Sequence, residues 1–201
     1  MLELHGQTIL SRMIETVQPH VSRIHVVVGY REELVIDHCA RHHRDVVIVR
    51  NPDYRTTNTA ASMALGARGF SSKIVFMDGD LVISPVSFAG FVAQAAREPI
   101  LVGITPASSD QAVFAATENI GASTRLTQFT RETRMPFEWA NVVSGPPNLM
   151  DRIDGYVFQQ LEARLPLPAF ALELSEVDTA DDLQRAGAFA QGLTPIGPGP
   201  A

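Results

Sequence analysis

The sequence predicts an α/β fold, with a doubly wound, mixed but mainly parallel sheet flanked by helices. Helix and strand patterns alternate through the first half of the chain, which implies right-handed crossovers between parallel strands. The apolar run Ile74–Met77 then stops abruptly at Asp78-Gly79-Asp80. A β-branched and aromatic run without polar interruption is typical of a strand that is buried on both faces of such a sheet.

The first half contains three predicted helices and three predicted strands. Hydrophobic periodicity places the helices at residues 8–18, 31–41 and 59–67, and the strands at residues 23–29, 45–50 and 73–77. Pro19 ends the first helix, and the turn Asn51-Pro52-Asp53 ends the second strand.

The second half mixes helices with strands that return by hairpin. Helices are predicted at residues 85–97, 149–164 and 179–191, and strands at residues 100–105, 112–117, 125–129, 138–143 and 170–177. A turn at residues 118–121 indicates the hairpin. We expect one domain over residues 1–191, followed by a disordered tail at 192–201 that is rich in glycine and proline.

The composition excludes several classes of protein. The net charge of −6 argues against a nucleic-acid or anionic-membrane surface. The single cysteine, Cys39, cannot form an intramolecular disulfide, and neither a signal-peptide pattern nor a stretch of transmembrane length is evident. We therefore expect a cytoplasmic protein, and the sequence leaves open whether it is a homo-oligomer. Lys73 is the only lysine, so arginines or magnesium must handle an anionic substrate.

Carboxylates follow two of the predicted strands. Asp78 and Asp80 follow one strand, and Glu176 and Asp178 follow another. Because strand ends converge in a parallel sheet, we expect Asp80 and Asp178 to share one Mg²⁺, which prefers oxygen ligands. Two plainer interpretations remain open, namely that D-G-D only forms a turn and that Asp178 only caps the last helix.

A polar loop precedes the third predicted helix. Residues 51–63, NPDYRTTNTAASM, place Arg55 and Asn58 just before the helix. The N–H groups and positive dipole end of a helix N-terminus can hold a phosphate. The alternative is ordinary capping by Thr57, Asn58 or Thr59.

A second candidate metal motif lies on the predicted helix 31–41 and just after it, at His38, Cys39, His42 and His43. Two histidines four residues apart can bind zinc, but no closed set of four ligands is evident. An exposed polar helix face is the favoured interpretation.

Five segments, in this order, resemble the nucleotidyltransferases of the sugar-nucleotide type, especially small cytidylyltransferases such as phosphocholine cytidylyltransferase. They are LELHGQTILSRMIE, IHVVVGY, NPDYRTTNTAAS, FMDGDLVIS and EVDTADDLQRA. The resemblance is weakest over residues 107–167. It implies a nucleotidyltransferase-like Rossmann-type fold. It also implies Mg²⁺-dependent transfer of a nucleotidyl group from an NTP, with CTP preferred, to a phosphorylated small molecule, releasing pyrophosphate.

The resemblance also assigns site residues. Asp80 and Asp178 match the metal-binding aspartates and would act in catalysis, while Asn58 and Ser62 match the segment that helps to enclose the nucleotide. We expect further nucleotide contacts from residues in loops at the ends of strands: Gly29, Tyr30, Arg55 and Asp78.

The start of the chain departs from the resemblance. The family opens with a strand and a glycine-rich loop that ends in a Pro-Lys pair, and the sequence begins after the place of that pair. We therefore expect an N-terminally truncated domain that binds NTP poorly, with one flank of strand 23–29 or 73–77 unpaired. A metal-dependent glycosyltransferase of related fold, using Asp78 and Asp80, and a non-catalytic nucleotide-binding relative remain alternatives.

Overall fold

The computed structural model describes residues 1–109, 112–121, 123–151 and 155–193. These residues form twelve strands: β1 Glu3–Leu4, β2 Gln7–Thr8, β3 His25–Val28, β4 Val47–Arg50, β5 Ile74–Met77, β6 Leu81–Ile83, β7 Leu101–Pro106, β8 Phe114–Ile120, β9 Ser123–Thr130, β10 Phe137–Gly145, β11 Leu167–Ala171 and β12 Leu174–Glu176. They also form six α-helices: α1 Ile9–Val17, α2 Glu32–His42, α3 Thr59–Gly66, α4 Pro85–Ala95, α5 Val157–Glu162 and α6 Ala180–Gly192.

The largest sheet has six strands in the order β5-β10-β7-β11-β9-β8, and β10 also pairs with β8. The predicted α/β class and mixed sheet are confirmed. Fewer strand pairs are parallel than the sequence suggests. Within the described ranges, β11 and β7 form the one parallel pair of this sheet. Short hairpin connections such as that between β8 and β9 produce antiparallel neighbours, and they dominate the second half of the chain.

Three two-stranded sheets complete the fold. Strands β3 and β4 pair in parallel, as the alternation of helix and strand predicts. Strands β6 and β12 pair antiparallel. Strands β1 and β2 form a small hairpin whose turn includes Gly6 at φ +76°, a conformation that glycine adopts without a Cβ clash.

Strands β3 and β5 each leave one edge without a strand partner among the described residues. The carbonyls of Ile24 and Val28 accept hydrogen bonds from the β4 side. Because peptide groups alternate in direction along a strand, those of His25 and Val27 point away from β4. The unpaired flank expected from the sequence is therefore present at both strands.

Two apolar clusters form the core. One combines side chains from α1, α4, α6, β6 and β12, with Phe88 and Phe91 of α4 fully buried. The other combines α3 and α5 with strands of the large sheet, around Leu126 and Leu149. Each such buried side chain stabilises the fold by about 1.5–3 kcal/mol relative to exposure.

Several elements differ from their predictions. The predicted strand 170–177 is two strands, because the chain leaves β7 after Ala171 and pairs with β6 from Leu174. The predicted helix 149–164 is a 3₁₀ turn, Pro147–Met150, followed by the shorter α5 after Gly155 at φ +80°. Residues 152–154 of that prediction lie outside the described residues. The predicted tail begins at Gly192, which is the last residue of α6, and residues 194–201 also lie outside the described residues. No helix in the described ranges has the length and apolar character needed to cross a membrane.

Candidate active site

A turn and two short strands bring the predicted carboxylates together. Strand β5 runs into Asp78-Gly79-Asp80, and β6 follows directly. Strand β12 pairs with β6 so that Glu176 lies opposite Leu81, and the Val177 N–H donates to the Asp80 carbonyl at 3.1 Å. This pairing places Asp178 beside Asp80, as the sequence predicts. The route is different, however, because β6 and β12 are antiparallel rather than parallel strands with converging ends.

Asp80, Glu176 and Asp178 form a compact group, here called the acidic triad. One oxygen from each carboxylate lies within 4.8 Å of the other two. Asp80 Oδ1 is buried and has no hydrogen-bond partner among the described residues, which is costly for a carboxylate oxygen unless a cation satisfies it. A few carboxylate oxygens, with room for water and phosphate oxygens, are the ligands that Mg²⁺ prefers. The triad therefore fits the predicted ion.

The side chain of Asp178 is available to the triad because a neighbouring residue caps the last helix. Thr179 is the N-cap of α6, and its Oγ1 accepts from the Asp182 N–H at 3.2 Å. The Asp182 carboxylate in turn accepts from the Thr179 N–H at 2.8 Å, completing a capping box. The interpretation of Asp178 as a simple cap is therefore wrong.

Asn141 links two parts of the site, and its position could not be predicted from the sequence. It lies at φ +54° where the pairing of β10 with β7 shifts register. Its carbonyl accepts from the Asp78 N–H at 3.2 Å, and its Nδ2 donates to Glu176 Oε1 at 2.8 Å. Glu176 follows a predicted strand, but nothing in the sequence marks it as a ligand. A bulge depends on the neighbouring strand, so it gave no local signal at Asn141.

Burial and mutual repulsion raise the pKa values of these carboxyl groups. Burial, together with the charges of Asp80 and Asp178, raises the pKa of Asp78 from 3.8 to about 7. Burial, followed by the charges of Asp80, Asp178, Asp78 and Glu138, raises the pKa of Glu176 from 4.5 to about 7. Burial and the charge of Asp178 also raise the pKa of Asp80. A bound dication would offset this repulsion.

A cavity of about 850 Å³ opens between β3 and β5 and reaches the turn that carries Asp78 and Asp80. Asn58 and Ser62 line it from α3. Four residues predicted from separate segments of the sequence therefore border one space. The volume lies within the range of small-molecule sites.

Asn58 and Ser62 are both held by hydrogen bonds. Asn58 caps α3, since its Oδ1 accepts from the Ala61 N–H at 3.2 Å, and its Nδ2 donates to the Gly155 carbonyl. Ser62 Oγ accepts from Asn51 Nδ2 at 3.0 Å. The capping interpretation of Asn58 is confirmed, and its place on the cavity wall leaves the predicted nucleotide contact as a further role.

Gly29, Tyr30 and Arg55 do not line the cavity. A Cβ on Gly29 would lie 2.6 Å from the Tyr54 Cβ, so close packing explains this glycine. Tyr30 is 73% exposed. The Arg55 Nε donates to the Tyr54 hydroxyl at 3.0 Å on the protein surface. None of the three residues borders the cavity. Their nucleotide contacts stay predictions.

Residues 1–140 match the family described as the MobA-like NTP transferase domain. No curated protein sequence matches the chain.

Solved structures share the fold at low sequence identity. HddC from Yersinia pseudotuberculosis is 10% identical, with a TM-score of 0.73 and coverage of 94% of this chain and 88% of that chain. The inositol-1-phosphate CTP transferase from T. maritima is 13% identical, with a TM-score of 0.70 and coverage of 96% and 88%. The CTP:phosphocholine cytidylyltransferase LicC from Streptococcus pneumoniae is 13% identical, with a TM-score of 0.68 and coverage of 94% and 87%.

Proposed function

The chain belongs to the MobA-like NTP transferase domain family, and on that premise we propose that it transfers a cytidylyl group from CTP to a phosphorylated small molecule with release of pyrophosphate. The observation that carries the proposal is the acidic triad, whose oxygens lie within 4.8 Å of one another beside the cavity lined by Asn58 and Ser62. A surface carboxylate pair without a cavity would not support it.

The reaction requires alignment and charge compensation rather than covalent chemistry from the protein. An oxygen of the acceptor phosphate attacks the α-phosphorus of the nucleotide, and the bond to the pyrophosphate oxygen breaks. Mg²⁺ held by Asp80, Glu176 and Asp178 would supply charge compensation for the phosphates. Asn141 fixes the orientation of Glu176 by its hydrogen bond at 2.8 Å.

The choice of CTP and of a phosphate-monoester acceptor rests on two of the similar structures, which are a CTP transferase for inositol-1-phosphate and a cytidylyltransferase for phosphocholine. The cavity supports the proposal of a nucleotide site, because Asn58 and Ser62 line it together with the carboxylates of Asp78 and Asp80. Inositol-1-phosphate and phosphocholine are therefore the first acceptors to test.

Calorimetric titration of CTP, with Mg²⁺ and with EDTA, tests the proposal. We expect binding only with Mg²⁺, and its loss in Asp80→Asn. Glu173→Gln is the matched control, because Glu173 is an exposed acid near the triad in sequence but outside it. Pyrophosphate release with CTP and each acceptor measures turnover. Binding of a sugar nucleotide in place of CTP, with transfer of its sugar, would favour the glycosyltransferase alternative, and nucleotide binding without any pyrophosphate release would favour the non-catalytic alternative.

A further inference from the structure

Three histidines lie together on the surface formed by α1 and α2, apart from the acidic triad. His38 and His42 are four residues apart on α2, and His43 follows the helix. Opposite them, Ser11 and Thr8 belong to the start of α1. We call His38, His42 and His43 the histidine cluster.

The rings of the histidine cluster are close to one another. The ring centres of His38 and His42 are 4.8 Å apart, those of His38 and His43 are 5.6 Å apart, and those of His42 and His43 are 6.5 Å apart. Imidazole nitrogen lies about 2.0–2.1 Å from Zn²⁺, so two rings on one tetrahedral ion have centres roughly 5 Å apart. The first two separations already bracket this value. The third is wider, and the ring nitrogens of the three histidines do not all lie within 4.8 Å of one another, as the oxygens of the acidic triad do. Binding of one ion therefore requires the exposed His42 side chain to change its conformation.

Two of the imidazoles already converge on one polar atom. His38 Nε2 lies 2.8 Å from Ser11 Oγ, and His43 Nε2 lies 2.6 Å from the same oxygen. A serine hydroxyl has one proton, so it donates to one ring and accepts an N–H from the other. The rings must turn away from Ser11 to direct lone pairs at an ion. His38 Nε2 also lies 3.1 Å from Thr8 Oγ1. The two rings therefore exchange three neutral polar contacts for two metal bonds.

The surroundings suit a dication. Glu3 and Asp37 lie near enough to His38 to act on it electrostatically, and Glu15 acts on His43 in the same way. Burial is the largest factor that lowers the pKa of both His38 and His43, which keeps the imidazoles in the neutral form that binds metals. Cys39 is not a ligand, because it is buried and burial raises the pKa of its thiol.

We propose that His38, His42 and His43 form a site for one divalent transition-metal ion, of which Zn²⁺ is the first to test. Three imidazoles leave at least one open coordination position, filled by water. The ion would link the end of α2 to the residue that follows the helix. The imidazole ligands select against Mg²⁺, because Mg²⁺ prefers oxygen ligands. This site is independent of the proposed nucleotidyl transfer.

The test is calorimetric titration of tag-free protein with ZnCl₂ in excess Mg²⁺, so that Mg²⁺ competes with Zn²⁺ for the acidic triad. We expect one equivalent of Zn²⁺ to bind, and His42→Ala to weaken it at least about tenfold. Since His42 is exposed, that variant should fold, and thermal unfolding checks this. His20→Gln, which changes a histidine outside the cluster, is the matched control and should bind as the parent does. Co²⁺ provides a second readout. Co²⁺ bound by imidazoles gives visible d–d absorption, which should persist in excess Mg²⁺ because Mg²⁺ does not displace it from nitrogen ligands.

Two results would overturn the proposal. One is Zn²⁺ binding that His42→Ala and His38→Gln leave unchanged. The other is binding that disappears in Asp80→Asn while the histidine cluster is intact, because the ion would then belong to the acidic triad.

Discussion

Replacing Asp80 by asparagine should stabilise the metal-free protein while removing its response to Mg²⁺. The Asp80 carboxylate lies among Glu176, Asp178 and Asp78, and its Oδ1 has no hydrogen-bond partner among the described residues. Without a cation, its charge therefore opposes folding. Asparagine preserves the shape of the side chain, removes that charge and can donate a hydrogen bond to a neighbouring carboxylate.

The size of the effect follows from the separation of Asp80 and Glu176. Oxygens within 4.8 Å repel by about 3 kcal/mol when both groups are charged and the effective dielectric constant is about 20. Because the pKa of Glu176 is raised to about 7, roughly half of this group is ionised at neutral pH. We therefore expect Asp80→Asn to raise the free energy of unfolding by about 1–2 kcal/mol in EDTA. In a chain of 201 residues this corresponds to roughly 2–5 °C in Tm.

Thermal unfolding followed by circular dichroism at neutral pH measures this difference, with Glu173→Gln as the control for loss of an acid outside the triad. Adding Mg²⁺ at one hundred times its dissociation constant should stabilise the parent and the control by about 2.7 kcal/mol, and the Tm of both should therefore rise. The Tm of Asp80→Asn should move little. A variant that is less stable than the parent in EDTA, and still responds to Mg²⁺, would show that Asp80 is a structural residue and refute the reasoning.

Three further predictions concern the same region. In EDTA, the contribution of Asp78 and Glu176 to stability should be fully present below about pH 4 and lost as the pH rises through about 7, because folding raises both pKa values to about 7. Saturating Mg²⁺ should flatten this part of the curve of Tm against pH, and an unchanged slope would argue against a cation at the triad. Asn141→Gly should weaken Mg²⁺ affinity about 10–100-fold by removing the donor to Glu176. Asn141→Ala should do the same and also lower Tm, since alanine is strained at φ +54°; equal Mg²⁺ affinity in parent and both variants would exclude the orienting role. Asn58→Ala should cost about 1 kcal/mol of stability through the lost cap, whereas Asn58→Asp keeps the cap. Both should change the preference between CTP and other NTPs in competition binding, and a change in stability alone would leave Asn58 a cap only.

Local patterns were sufficient to predict most elements of the first half and the turn that carries Asp78 and Asp80. Strands β3 and β5 fall inside their predicted ranges, because each is an apolar run bounded by polar or turn residues. The pairing of strands was harder to predict. Periodicity assigns a residue to a strand but does not determine with which strand it pairs. The sequence therefore predicts β12 only as part of one long strand and does not predict β6.

In the candidate site, too, local sequence patterns predict some residues, whereas others depend on how the strands pair. Asp80 and Asp178 could be selected from the sequence, since carboxylates after apolar strands are frequent at functional sites. Glu176 and Asn141 could not be assigned a role, because their contact at 2.8 Å requires the bulge in β10 and the pairing of β12 with β6 together. Tyr30 and Arg55 are predicted site residues because they follow strands, yet both side chains lie outside the cavity. Position along a strand does not determine the direction in which a loop side chain points.

Two physical costs of this fold coincide where the proposed ion would bind. Asp78, Asp80 and Glu176 are carboxyl groups whose burial opposes their ionised form. Asn141, which orients Glu176, is held in a left-handed conformation that costs a non-glycine residue of order 1 kcal/mol or more. A structure maintained for stability alone would be improved by removing either cost, for example with an amide at Asp80 or a glycine at position 141. The two costs meet at Glu176, whose carboxylate is one of the buried groups and accepts the hydrogen bond from Asn141. Their coincidence supports a bound cation by an argument that does not depend on family membership.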